Sequence, residues 1–170
     1  MLSILMTIGL GAALSNQPVD ALDLARYSGT WHEIAHLPMF FQRQCRDSIT
    51  ATYTPQPDGT IRVRNACRTK DGTQDESIGV ARPVEGRPGA LEVRFAPDWL
   101  RWLPWVWADY WVVELDPDYQ WAVVGGPSRK YMWILSRTPA MDPALFEQIK
   151  ARAAQRGYPV QALVIAGPLK

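Results

Sequence analysis

Ser48-Ile-Thr-Ala-Thr-Tyr-Thr-Pro-Gln-Pro-Asp-Gly-Thr-Ile-Arg-Val-Arg-Asn-Ala-Cys67 holds two strands and the turn between them. Ser48–Thr54 is rich in branched and aromatic residues that suit a pleated surface. Thr60–Cys67 alternates Ile and Val with Arg, the period-two pattern of a strand with one wet face. Pro55-Gln-Pro-Asp-Gly59 supplies the turn, with Gly59 able to take positive φ. The same alternation of strand and turn extends in both directions. Thr30–His36 is a short strand, and Leu37–Asp47 is a loop carrying Pro38. After the polar loop Thr69–Glu76, strands Ser77–Pro83 and Ala90–Ala96 flank Val84–Gly89. Tyr110–Leu115 and Trp121–Gly126 flank Asp116-Pro-Asp-Tyr-Gln120, and Lys130–Ser136 follows the turn Gly126-Pro-Ser-Arg129. Eight short strands joined mostly by tight turns predict an antiparallel up-and-down barrel or a sandwich.

One helix follows the strands. Asp142 is its N-cap and Pro143 its first residue. Leu145, Phe146, Ile149 and Ala153 form its apolar stripe, and Gly157 stops it. This predicts a helix packed outside the barrel, with Gln161–Ile165 as a short extra strand. No internal repeat or linker divides the chain, so residues 16–170 read as one domain. The 170 residues are 47% hydrophobic, enough for a single core, and the formal net charge is +1. With no Lys/Arg cluster, nucleic-acid binding is not expected.

Leu2–Leu14 is apolar apart from Ser3 and Thr7. It is shorter than the roughly 20 residues that span a bilayer. Residues 1–15 therefore read as a secretory signal with cleavage before Asn16. The two cysteines, Cys45 and Cys67, suit an exported chain with one disulfide. No Cys/His cluster has metal-ligand spacing. His32 and His36 fall on one strand face roughly 13 Å apart, too far to share a metal. No metal site or cofactor is expected.

Three motifs resemble one family. Gly29-Thr-Trp-His-Glu-Ile-Ala35 looks like the Gly-x-Trp first strand of lipocalins. Asp116-Pro-Asp-Tyr119 resembles the acidic turn between their sixth and seventh strands. Trp133-Ile-Leu-Ser-Arg-Thr-Pro139 resembles their eighth strand, whose Arg covers the Trp at the closed end. Gly29, Trp31 and Arg137 are then structural. Ile49-Thr-Ala-Thr-Tyr53 and Arg129–Pro139 look most like the bacterial lipocalins of the outer-membrane lipoprotein Blc group, which is similar to apolipoprotein D. The resemblance implies an eight-stranded barrel that binds a lysophospholipid or fatty acid and serves cell-envelope maintenance. The implied location is the periplasm or the outer membrane. A lipid-anchored member has a Cys directly after its signal, and none stands near Asn16.

Alternation then assigns the interior. If Trp31 points in, so do Glu33 and Ala35. Ala51, Tyr53, Val63 and Asn65 follow on the next two strands, then Val93 and Phe95 beside Leu91. Tyr110, Val112 and Glu114, then Val124, Tyr131 and Trp133, complete the expected ligand-binding wall. His32 and His36 are expected to face outward. Cys45 and Cys67 fall at the mouth on neighbouring strands, nearly opposite each other, which supports their pairing.

Asp98-Trp-Leu-Arg-Trp-Leu-Pro-Trp-Val-Trp107 is a mouth loop that is nearly all apolar. Trp99, Leu100, Trp102, Leu103, Trp105 and Trp107 suit a membrane surface, a homodimer interface, or a lid over the cavity. Two further function classes fit an apolar cup: an enzyme on the same barrel, and a pigment or haem binder. No nucleophile elbow or phosphate loop supports catalysis, and outward histidines oppose axial haem ligation.

Overall fold

Gly59 adopts a φ of 82°, and the Gln56 N–H bonds the Thr60 carbonyl, closing the Pro55–Gly59 turn as its composition requires. The computed structural model describes residues 12–39, 44–95 and 106–170. Eight strands follow one another: β1 (Gly29–His36), β2 (Cys45–Pro55), β3 (Ile61–Thr69), β4 (Gln74–Pro83), β5 (Ala90–Arg94), β6 (Ala108–Leu115), β7 (Trp121–Gly125) and β8 (Trp133–Ser136). Each pairs antiparallel with the next, and β8 returns to β1, closing the barrel. A short β9 (Val164–Ile165) adds to β1 outside the ring.

Two α-helices stand among the described residues. The sequence reading missed α1 (Leu24–Tyr27), a single turn capped by Asp23, which accepts from the Ala25 and Arg26 amides. It drives Tyr27 into the closed end. The expected outer helix is α2 (Pro143–Gln155), capped by Asp142 and followed by Gly157 at φ 88°. Its buried Phe146, Ile149 and Ala153 pack on Ile34, Val113, Val123 and Ile134 of the outer wall. Each fully buried large side chain in such a layer contributes about 1.5–3 kcal/mol. A second core of Tyr27, Trp31, Tyr53, Val63, Leu91, Val112 and Val124 fills the barrel.

The closed end matches its motifs. The Trp31 indole N–H donates to the Tyr27 carbonyl at 2.8 Å, and the Arg137 guanidinium lies 3.8 Å from the Trp31 ring centroid. Arg137 also donates to the carbonyls of Arg26, Thr30 and Tyr119, at 2.6, 3.1 and 3.2 Å. Gly29 sits beside this guanidinium at φ 93°, which a side chain would strain.

The wall parts toward the mouth. β1 pairs with β2 only over Gly29–His32, and above that point it pairs with β8 and β9. β5 reaches no higher on β4 than Val80, so Gln74–Gly79 rises above it. Among the described residues, β2, β3 and β4 therefore stand as a tall leaf over a lower ring. The Cys45–Cys67 disulfide, with a Cα–Cα distance of 5.7 Å, ties β2 to β3 near the top of that leaf.

Two bulges break the alternation used to assign the interior. On β1, Glu33 opposes Leu135 but Ala35 opposes Ile134, so Ile34 is an extra residue. Ile34 and Ala35 then both join the core under α2, and Ala35 does not face the interior as expected. On β6, Val112 opposes Val124 but Glu114 opposes Val123, so Val113 is extra. Glu114 thereby turns out to α2, where it pairs with Arg152 and lies 3.6 Å from Arg156. The expectation that Glu114 lines the cavity is corrected.

Candidate functional site

The interior divides by burial. Trp31, Val63, Leu91, Val112 and Val124 are at most 2% exposed and pack against one another. Of the expected ligand wall, Val63, Val112 and Val124 thus lie in a packed lower half. Ala51, Asn65, Val93, Tyr131 and Trp133 are half-buried, and Phe95 is 43% exposed. These residues form the less buried part of the expected wall. Phe95 lies just beyond the end of β5, with its ring against Gly79, where a Cβ would come within 2.7 Å of the ring. Gly79 is thus what lets the aromatic lie flat on the wall. The Tyr131 ring stands 5.6 Å from Trp133, and its hydroxyl donates to the Asp109 carbonyl at 2.7 Å. Burial pushes the Tyr131 phenol up to about 12.

Between the halves lies a polar layer. Tyr53, Glu33, Tyr110 and His36 are 6–9% exposed. The Tyr110 hydroxyl bonds those of Tyr27 and Tyr53 at 2.7 and 2.8 Å. Burial raises the pKa of all three phenols, so they stay protonated donors. Glu33 accepts from His36 Nδ1 at 2.5 Å. His36 opposes Trp133 across the β1–β8 ladder and so faces inward, contrary to expectation. The Ile34 bulge that turns Ala35 out turns His36 in. His32, below the bulge, stays on the outer face, where partial burial lowers its pKa.

Sequence reasoning thus missed His36, and it missed Tyr27 because α1 was not read as an element. The signal for α1 was Asp23, a good cap directly after Ala21-Leu22. No sequence signal marks the bulge. Among the described residues, no group of three His, Cys, Asp or Glu side chains converges as metal ligands.

Of the Trp-rich loop, Trp99, Leu100, Trp102, Leu103 and Trp105 lie outside the described residues. Trp107 rests on the outer wall, with Arg82 and Arg94 guanidinium carbons 3.9 and 5.1 Å from its ring centroid. A hollow of about 690 Å³ lies beside it, between Arg62, Arg82 and Ile78, on the outer face rather than in the barrel.

The chain matches the lipocalin-like domain family over residues 22–167. It is a lipocalin. Temperature-induced lipocalin-1 of Arabidopsis thaliana is 42% identical over 148 residues, covering 85% of this chain and 78% of that protein. The outer membrane lipoprotein Blc of Escherichia coli K12 is 36% identical over 149 residues, covering 86% and 79%. Insecticyanin from the tobacco hornworm Manduca sexta shares the fold at a TM-score of 0.68 and 20% identity, over 94% of this chain and 91% of its own. This lipocalin keeps the barrel and the closed-end Trp31–Arg137 contact, and it fills the lower half of its cup with side chains.

Proposed function

We propose that this lipocalin binds and carries a lysophospholipid or fatty acid, chain inward, in the upper half of its barrel. The observation that carries the reading is the contrast between a packed lower half and an upper half walled by Ala51, Val93, Phe95, Tyr131 and Trp133. Asn65 adds one polar contact on that wall. From Val63 to Thr69 the tall leaf runs about 20 Å along β3. With the strand tilt usual for barrels that is about 15 Å of depth, room for an extended chain of about twelve carbons. Burying that many methylenes gives a gross gain on the order of 10 kcal/mol, before ordering losses.

Cell-envelope lipid maintenance after export fits the names of the outer-membrane lipoproteins it resembles. Cleavage before Asn16 would give up the bonds of Leu14 to the Gln155 carbonyl and of Arg156 to the Ser15 carbonyl and keep those of Asn16. Asn16 Oδ1 accepts from Tyr158 and its Nδ2 donates to the Gly126 carbonyl, so the new N-terminus would be held on the barrel. We assign the Trp99–Trp107 stretch to a membrane surface, on its composition. If Trp99→Ser with Trp102→Ser leaves vesicle affinity unchanged, that assignment fails in favour of a homodimer or lid.

Among the described residues, the Glu33–His36 pair is the feature that favours a catalytic reading. It has a base and an orienting acid, but among the described residues no hydroxyl or thiol is bonded to His36. A carrier is the better account. Native mass spectrometry of protein purified from its host tests it: a co-purified single-chain lipid supports the reading. An empty cup that also refuses lysolipids and fatty acids overturns it.

A further inference from the structure

On the outer wall, Arg62 of β3, Val80 of β4 and Arg94 of β5 oppose one another in a row across three strands. Directly opposed residues share a face of the sheet, and Arg82, two residues beyond Val80 on β4, lies on that face too. With Ile78 and Trp107, these side chains line the outer hollow of about 690 Å³.

Most arginines of this face are neutralised within the chain. Arg64 pairs with Glu76, Arg68 with Asp47 and Arg82 with Glu92. Arg62 is exposed, and among the described residues no carboxylate lies within 4 Å of it. Asp58 also lines the hollow, but its Oδ1 is taken by the Thr60 amide and hydroxyl, at 2.9 and 2.6 Å. The hollow therefore holds a guanidinium whose charge-assisted bonds are still to be made. A planar fork of this kind matches two oxygens of a phosphate.

Apolar surface adjoins that cation. Ile78 is 43% exposed, and the Trp107 ring stands 3.9 Å from the Arg82 guanidinium carbon. Ile and Trp beside Arg suit a bilayer interface, where rings and alkyl groups enter between the head groups and the guanidinium stays with the phosphates.

We propose that this hollow docks the phosphate head group of an anionic phospholipid in a bilayer, with Arg62 as the principal ligand and Ile78 and Trp107 set among the glycerol ends. The proposal rests on the assignment of the Trp99–Trp107 stretch to a membrane surface and adds the class of lipid. Trp107, the last residue of that stretch, is a wall of the hollow, so the contact continues onto the outer face of β3–β5.

Co-sedimentation of the native protein with vesicles tests it, using phosphatidylcholine alone and phosphatidylcholine with about one third phosphatidylglycerol. Acidic vesicles are expected to bind about tenfold or more tightly than neutral ones, and the gain is expected to vanish in about 0.5 M salt. Arg62→Gln breaks no ion pair of the fold. It is expected to weaken binding to acidic vesicles about fivefold and to leave Tm and binding to neutral vesicles unchanged. Lys150→Gln, on α2 and away from the hollow, removes the same charge and is expected to change affinity less than twofold. Equal effects of the two substitutions overturn the proposal, as does an absence of preference for acidic vesicles. At matched ionic strength, inorganic phosphate is expected to release no more protein from acidic vesicles than chloride does; greater release by phosphate identifies a site for free phosphate and overturns the bilayer assignment. If acidic lipid gives no gain but Trp99→Ser with Trp102→Ser weakens binding to neutral vesicles, this proposal falls and the membrane assignment stands. If the native protein binds neither vesicle, both fall.

Discussion

Replacing Arg137 by Ala is expected to destabilise the closed end by about 3 kcal/mol. The guanidinium donates to three carbonyls, those of Arg26, Thr30 and Tyr119, and covers the Trp31 ring at 3.8 Å. A hydrogen bond from a charged donor contributes about 1.5–3 kcal/mol net, and a partly exposed cation–π contact about 0.5–1. Simple addition overshoots, because the three bonds come from one guanidinium and two of them are exposed, so water replaces part of the loss. About 3 kcal/mol corresponds to a fall in Tm of about 6–12 °C for a domain of this size. Arg137→Lys separates geometry from charge. An ammonium cannot hold a planar fork on three carbonyls, so Lys is expected to recover no more than about 1 kcal/mol. Thermal and urea unfolding followed by circular dichroism measure both variants. A fall of under 2 °C for Ala, or full recovery by Lys, would refute the view that this fork closes the barrel.

Three other outcomes follow from the same structure. Reducing the Cys45–Cys67 disulfide, which spans a sequence separation of 22, is expected to cost about 3 kcal/mol through loop-closure entropy; a Tm unmoved by reductant contradicts this. Glu114→Gln removes the charge that pairs with Arg152 and Arg156, and should cost about 1–2 kcal/mol while leaving lipid affinity within about twofold. A large affinity loss would return Glu114 to the cavity. Burial raises the phenol pKa values of Tyr27, Tyr53, Tyr110, Tyr131 and Tyr158. The unfolded chain loses those protons first, near pH 10. Stability is therefore full below about pH 10 and falls as pH rises toward about 12, the Tyr131 value. Urea midpoints between pH 8 and 12 that stay flat or rise would contradict this.

The strands, their order and the closed end were legible because each is marked by local chemistry. Turns need Gly, Pro and Asp, strands need alternation, and Gly29, Trp31 and Arg137 recur as a motif. What was not legible depends on single inserted residues. Ile34 and Val113 are ordinary strand residues, yet each is a bulge that reverses the faces of those after it. Ala35 and Glu114 went out and His36 came in for that reason alone. Depth was equally hidden. Val63, Val112 and Val124 are on the inner core, as alternation requires. Whether they touch a cavity depends on how the large rings of Tyr27, Tyr53 and Tyr110 fill the space between them. Volume competition across the barrel leaves no trace in the period of any one strand.

The central claim is that the open upper half, and not the packed lower half or the outer wall, holds an apolar chain. A crystal grown with 12-bromododecanoate tests it directly, because bromine scatters anomalously and marks the far end of the chain. The account places that peak inside the barrel, against Tyr53, Tyr110 and His36, with the chain running up past Val93 and Trp133. A peak in the outer hollow beside Trp107, or none in the barrel, would contradict it.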